Sequence, residues 1–173
     1  MSGFNLESRQ IFLREGVLQQ ICYKTAFVDF VDKVTANDYK ARHEFVYVGT
    51  LPHYVMADAA IVALAPMSNE IHVSDYQLRH SQRSEKSVPL SLEDLKLLPS
   101  KLESASWFYD SSHNNLIATF DILSEMENDI GKVAIKINFA KKKKLTNNSI
   151  VTSGVIEAST LKMKIYREMK DEP

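Results

Sequence analysis

From Asn5 to about Val34 the apolar residues Leu6, Ile11, Phe12, Val17, Leu18, Ile21, Cys22, Phe27, Phe30, Val31 and Val34 recur at spacings of three and four. This predicts amphipathic helix, interrupted near Gly16 or Lys24. Phe45 to Gly49 reads as a short strand closed by glycine, and Pro52 as the start of a helix running to Ala65. Ser74 followed by Gln77 predicts a capped helix beginning near Asp75, on which Tyr76, His80 and Arg83 share one face. Ser91 with Asp94 marks another helix start, which Pro99 is expected to end or redirect. Beyond Ser104 the period becomes two. Trp107 and Tyr109, then Leu116, Ala118, Phe120 and Ile122, then Val133, Ile135, Ile137 and Phe139 alternate with polar neighbours, as strands with one buried face do. Residues 149–158 carry apolar groups on both parities, as a central strand would, and Leu161, Met163 and Ile165 predict a final strand. The pattern is helices followed by a meander: a helical extension over residues 1–44, then a domain over 45–173.

Composition narrows the class. The 173 residues, 45% apolar and 25% charged, suffice for one domain with a core and an appendage. Cys22 is the only cysteine, which excludes an intrachain disulfide and a cysteine-rich zinc site. The opening MSGFNLESRQ has neither the basic start nor the apolar run of a secretion signal, and Ala59 to Pro66 is too short to span a bilayer, so a cytoplasmic protein without a membrane is expected. The net charge of -1 conceals an asymmetry: residues 131–173 hold ten Lys and Arg against four acids, +6, leaving -7 elsewhere. That balance favours an anionic partner for the C-terminal part, set against the plainer reading of a solvated face.

Six stretches follow one another in a particular order between Phe45 and Tyr166: VYVGTLP, IHVSDYQLRH, LSLEDLKLLP, WFYD, KVAIKINF and IVTSG. Over roughly two thirds of the chain this order resembles the phage-associated nucleases of the barnase/EndoU/colicin/RelE-like superfamily. The resemblance implies an α+β fold in which N-terminal helices precede a curved antiparallel sheet with an RNA-binding face. It implies a metal-independent endoribonuclease, toxin-like and prophage-associated, with no cofactor, RNA as substrate and a cognate inhibitor protein as a further partner. By it, His80 matches the helix histidine, Lys136 the basic position of the meander, and Thr152 or Ser153 the late-strand hydroxyl. Arg83 and Lys86 are the counterparts here of a longer histidine-and-basic pattern.

The residue types suit that chemistry. When the 2'-hydroxyl attacks the adjacent phosphate, the protein must move two protons and stabilise added negative charge, and RNA supplies the nucleophile itself. Histidine is accessible in both protonation forms near neutrality, so His80 is the candidate general acid or base; the plainer reading is a surface histidine. Arg79 and Arg83 can clamp phosphate oxygens or be solvated. Strand parity turns Lys132, Lys136 and Asn138 away from the core, whereas Lys141 and Lys142, in the run Lys141 to Lys144, supply diffuse attraction or a soluble hairpin tip. Thr152 and Ser153 point to opposite faces, so at most one enters the site. Tyr109 or Trp107 can stack a base or lie in the core. His72 or His53 is open as a second imidazole, while His43 and His113 are weaker candidates. Two other classes stand beside the enzyme: a non-catalytic nucleic-acid or protein-binding module of phage origin on the same fold, and an interaction protein that forms homodimers through its N-terminal helices.

Overall fold

The computed structural model describes residues 22–83, 85, 87–141 and 144–172, so the predicted helix between Asn5 and residue 21 lies outside the described residues. Residues 22–35 form α1, whose Phe27, Val31 and Val34, spaced four and three apart, are fully buried. The chain continues through β1 (Phe45–Thr50), α2 (His53–Met56), α3 (Ala59–Ala63), β2 (Glu70–Ser74), α4 (Asp75–Arg83), α5 (Leu92–Lys96) and α6 (Leu98–Glu103). It ends in β3 (Ser106–Asp110), β4 (Asn115–Phe120), β5 (Asp129–Lys141), β6 (Lys144–Glu157), a 3-10 turn (Ala158–Lys162) and β7 (Tyr166–Met169).

The strands make one seven-stranded sheet in the order β1-β2-β6-β5-β4-β3-β7. The fold is α+β, with the helices and one face of the sheet sharing a single apolar core. The sheet is not purely antiparallel: β2 runs parallel to β6, pairing Ile71 to Val73 with Asn148 to Ile150. A parallel pair needs a long crossover, and α4 to α6 with the β3–β5 meander supply it. The expected order of helices then strands is therefore modified, because β1 and β2 enter the sheet from among the helices.

Local chemistry explains the boundaries. The Gln77 N–H donates to Ser74 Oγ at 3.1 Å and the Asp94 N–H to Ser91 Oγ at 3.1 Å, closing the two expected helix starts. The predicted helix from Pro52 to Ala65 is instead two short ones. Asp58 accepts from the Ala60 N–H and starts α3, while its carboxylate takes both Arg167 Nη atoms at 2.8 Å. The helix begun at Ser91 closes at Lys96 and the chain is redirected into α6, with Pro99 in its first turn, where the missing N–H removes no bond. The strand expected over Leu161 to Ile165 is largely the 3-10 turn, and β7 begins at Tyr166.

One apolar cluster joins the first face of the sheet to the helices. Trp107, Leu116, Ala118, Val133, Ile135 and Ile150 meet Leu78, Leu95, Leu98 and Leu102, and Phe27, Val31 and Val34 of α1 belong to the same core. Each large side chain so buried contributes about 1.5–3 kcal/mol relative to exposure. Three register shifts break the alternation of the long hairpin, the last of them between Phe139 and Lys141. Val151 is the extra residue where Ala134 pairs with Thr152 and Ile135 with Ile150; Asn138, at φ 52°, is the extra residue between the Lys136–Ser149 and Phe139–Asn147 pairs. The Asn138 side chain donates to the Leu64 and Ala65 carbonyls and accepts from the Met67 N–H, fixing the loop after α3.

A close approach at β6 yields a first expected outcome. A Cβ on Gly154 would stand 2.8 Å from the Val88 carbonyl oxygen, which accepts the Val155 N–H at 2.8 Å. Gly154→Ala is expected to destabilise the fold by about 1–3 kcal/mol, the usual cost of overpacking. A denaturant midpoint equal to wild type at the same m value would contradict this.

Candidate active site at the seam between α4 and β6

Because β2 stops pairing at Val73, β6 has an unpaired edge beyond Ile150. Two groups fill it: the Ser153 N–H donates to Ser81 Oγ at 3.2 Å, and the Val155 N–H to the Val88 carbonyl. Helix α4 thus lies beside β6 where a further strand residue would pair, and its rotation is set by two contacts. Leu78 is buried in the core, and Ser81, about 60° round the helix, meets the strand edge. Continuing in the same sense past Gln77, His80 lies about 100° beyond Ser81, on the side of α4 turned away from the core. His80 is exposed and its ring stacks on Tyr76, centroids 6.0 Å apart at 6°.

The second face is built by cross-strand register. One continuous row crosses all seven strands: Tyr47, His72, Ser149, Lys136, Asn115, Asp110 and Tyr166. The next row runs Phe108, Ile117, Ala134, Thr152. The buried apolar side chains of the helices all belong to the first-face core, whereas Ile117 and Ala134 are buried outside it. Lys136 and Thr152 are exposed on this second face. The Val151 bulge is what sets Ser149 and Thr152 on one face although they are three residues apart.

The sequence candidates therefore divide. Thr152 and Lys136 are exposed on the same face of neighbouring strands, and His80 is exposed on the helix beside β6. Ser153 lies on the first face, buried, its Oγ without a hydrogen-bond partner, so Thr152 is the hydroxyl available to a substrate. Arg79 is committed elsewhere: Nη1 donates to the Val34 carbonyl at 2.8 Å and that of Ala36 at 3.2 Å, capping α1, and the guanidinium lies 5.5 Å from the Tyr39 ring. Arg83 is exposed but about 160° round the helix from Ser81, where with Arg79, Val34 and Thr35 it lines a groove of roughly 250 Å³. It stands about 60° from His80 on the exposed side of α4, in the sense away from Ser81. Tyr109 faces the core side, donates to Asn114 Oδ1 at 2.6 Å and carries Arg167 at 5.7 Å from its ring, and Trp107 is 1% exposed. Neither is a base platform. Lys86, Lys142 and the side chain of Lys141 lie outside the described residues.

Two second-face residues emerge more strongly than parity suggested. His72 occupies the Lys136 row; burial pushes its pKa down, opposed by Glu70 at 3.8 Å, and Nδ1 is buried without a hydrogen-bond partner. Phe139, expected in the core, is moved by the Asn138 bulge onto the second face, with Lys136 Nζ 6.0 Å from its ring centroid. The period-two pattern had no means of showing either shift, although an asparagine within an apolar strand is the residue type that tolerates φ > 0. Of the other histidines, His43 and His53 are exposed, and His113 is tied to Ser112 Oγ and Asp110 in the β3–β4 turn.

Among the described residues no group of three His, Cys, Asp or Glu is placed to hold a metal ion, and no helix is long and apolar enough to cross a membrane. Comparison with protein-family profiles, with curated proteins and with solved structures returned no match.

Proposed function

We propose that the protein is a metal-independent endoribonuclease of the cytoplasm whose site is the α4–β6 seam. The observation that supports this reading is an exposed imidazole, His80, on the helix that packs against β6, with an exposed hydroxyl, Thr152, on that strand and an exposed cation, Lys136, on the next. An α+β architecture, the class implied by the resemblance to barnase/EndoU/colicin/RelE-like nucleases, supports it at the level of fold only. In this reading the 2'-oxygen attacks phosphorus, the bond to the 5'-oxygen breaks, and a 2',3'-cyclic phosphate and a 5'-hydroxyl result. His80 passes a proton to or from these oxygens, Lys136 offsets the added negative charge, and the Thr152 hydroxyl donates to a phosphoryl oxygen.

The test is incubation of the full chain with total RNA in chelator, comparing wild type, His80→Ala and Thr152→Val, with the cleaved ends mapped. Cyclic phosphate ends that vanish in both variants support the proposal. Cutting that is equal in wild type and His80→Ala refutes it, and RNA binding without any cutting moves the protein to the binding-module reading.

A further inference from the structure

Lys136 stands in the middle of the second face and meets no carboxylate among the described residues. On its β4 side Asn115 Oδ1 is buried with no hydrogen-bond partner; on its β6 side, beyond Ser149, the same is true of His72 Nδ1. A buried polar atom left without a partner costs about 1–3 kcal/mol, so two flanking one unpaired cation mark a place built for an occupant. The Asn138 bulge adds the third element by carrying Phe139 onto the face of Lys136 rather than into the core. The bulge itself is held by the Asn138 bonds to the loop after α3, and Ile137 keeps the core position of that turn of strand, so Phe139 is left to the second face.

An occupant that satisfies this set needs an anion for Lys136, a flat ring for Phe139 and a hydrogen-bond donor for Asn115. A nucleotide of single-stranded RNA combines all three: phosphate, base face and base edge. A duplex does not, because its bases are stacked on one another and turned inward. We infer that Phe139, Lys136 and Asn115 form a nucleotide subsite beside the seam: the base stacks on Phe139, its phosphate sits on Lys136, and the Asn115 amide, whose Oδ1 is buried in the free protein, turns outward to accept from the base edge. The inference rests on the RNA reading above but not on cleavage, so the two fail separately.

The experiment is fluorescence anisotropy of the full chain with a labelled single-stranded 2'-O-methyl oligonucleotide, which lacks the nucleophile, at several salt concentrations. Phe139→Leu keeps an apolar side chain and loses the aromatic face; it is expected to weaken binding about 5- to 150-fold, the range for one base stacked on one aromatic, with the salt slope unchanged. Lys136→Ala is expected to weaken binding and flatten the slope of log K against log salt by about 0.7, one phosphate contact on a single strand. Affinity unaltered by Phe139→Leu, duplex RNA bound as tightly as the single strand, or no binding by wild type would each overturn the subsite. Normal binding with no cleavage of ordinary RNA by wild type would leave the subsite standing and remove the nuclease.

Discussion

Replacing His80 with alanine is expected to slow RNA cleavage about 10²- to 10⁴-fold, the usual contribution of one positioned general acid or base. The effect should fall on turnover rather than on folding. His80 is exposed and its ring contact is the stack on Tyr76, so its removal belongs with surface substitutions that change stability by less than about 0.5 kcal/mol. Measured on a defined RNA in chelator, the loss should appear in kcat/KM with the unfolding midpoint unmoved. A variant that both unfolds early and loses activity would point to a structural role instead. The Ser81 contact to the Ser153 N–H predicts a weaker companion effect, because that bond sets the rotation of α4 from which His80 projects.

Asp75→Ala should be the most destabilising single change described. The carboxylate is 0% exposed and accepts from the Tyr39 hydroxyl, the Arg42 N–H and the Tyr76 N–H, each at 2.7 Å. Removing a buried carboxylate together with its three hydrogen bonds costs about 3–5 kcal/mol, the usual loss when a buried charged group is taken from its partners. For a chain of this size that lowers Tm by roughly 6–20 °C. The sign with pH is also set. Burial raises the Asp75 pKa, but the hydrogen bonds from Arg42, Tyr39 and Tyr76 outweigh it and hold the group below the ordinary carboxylate range. A carboxyl depressed in the folded state contributes stability that is present above its unfolded pKa of about 3.9 and is lost as pH falls through the folded value. Wild type should therefore lose this increment on acidification below about pH 4, and Asp75→Ala should lack it. Tyr39 acts at the other end: burial and its bond to Asp75 push its pKa up to about 12, so its contribution is complete below pH 10 and fades as pH rises toward 12. Urea titrations at pH 7 and pH 3 check the first of these, and equal wild-type and variant midpoints at pH 7 would contradict it.

Much of this architecture was legible along the chain because its causes are local. The Ser74–Gln77 and Ser91–Asp94 spacings became hydrogen bonds between near neighbours, and alternation from Trp107 to Ile135 became one buried face. What stayed hidden depends on partners distant in sequence. Arg79 reads as a free cation beside His80 until its bonds to the Val34 and Ala36 carbonyls are seen, and Asp75 reads as a first-turn acid until Tyr39 and Arg42 close on it. Tyr109 and Ser153 were ambiguous by parity, and the pairing partners Leu116 and Val133 resolved both toward the core face.

Taken alone, the amino-acid order determined the helix starts, the meander and the presence of an imidazole, cations and hydroxyls. It did so because propensity, capping and period act within a few residues. Which of those groups share a surface was decided only in three dimensions, by bulges at Val151 and Asn138 and by the hydrogen bond that sets α4 against β6. The physical reason is that a strand changes face with every residue, so one extra residue reassigns everything after it, and whether one is inserted depends on the partner strand and the loop it must hold.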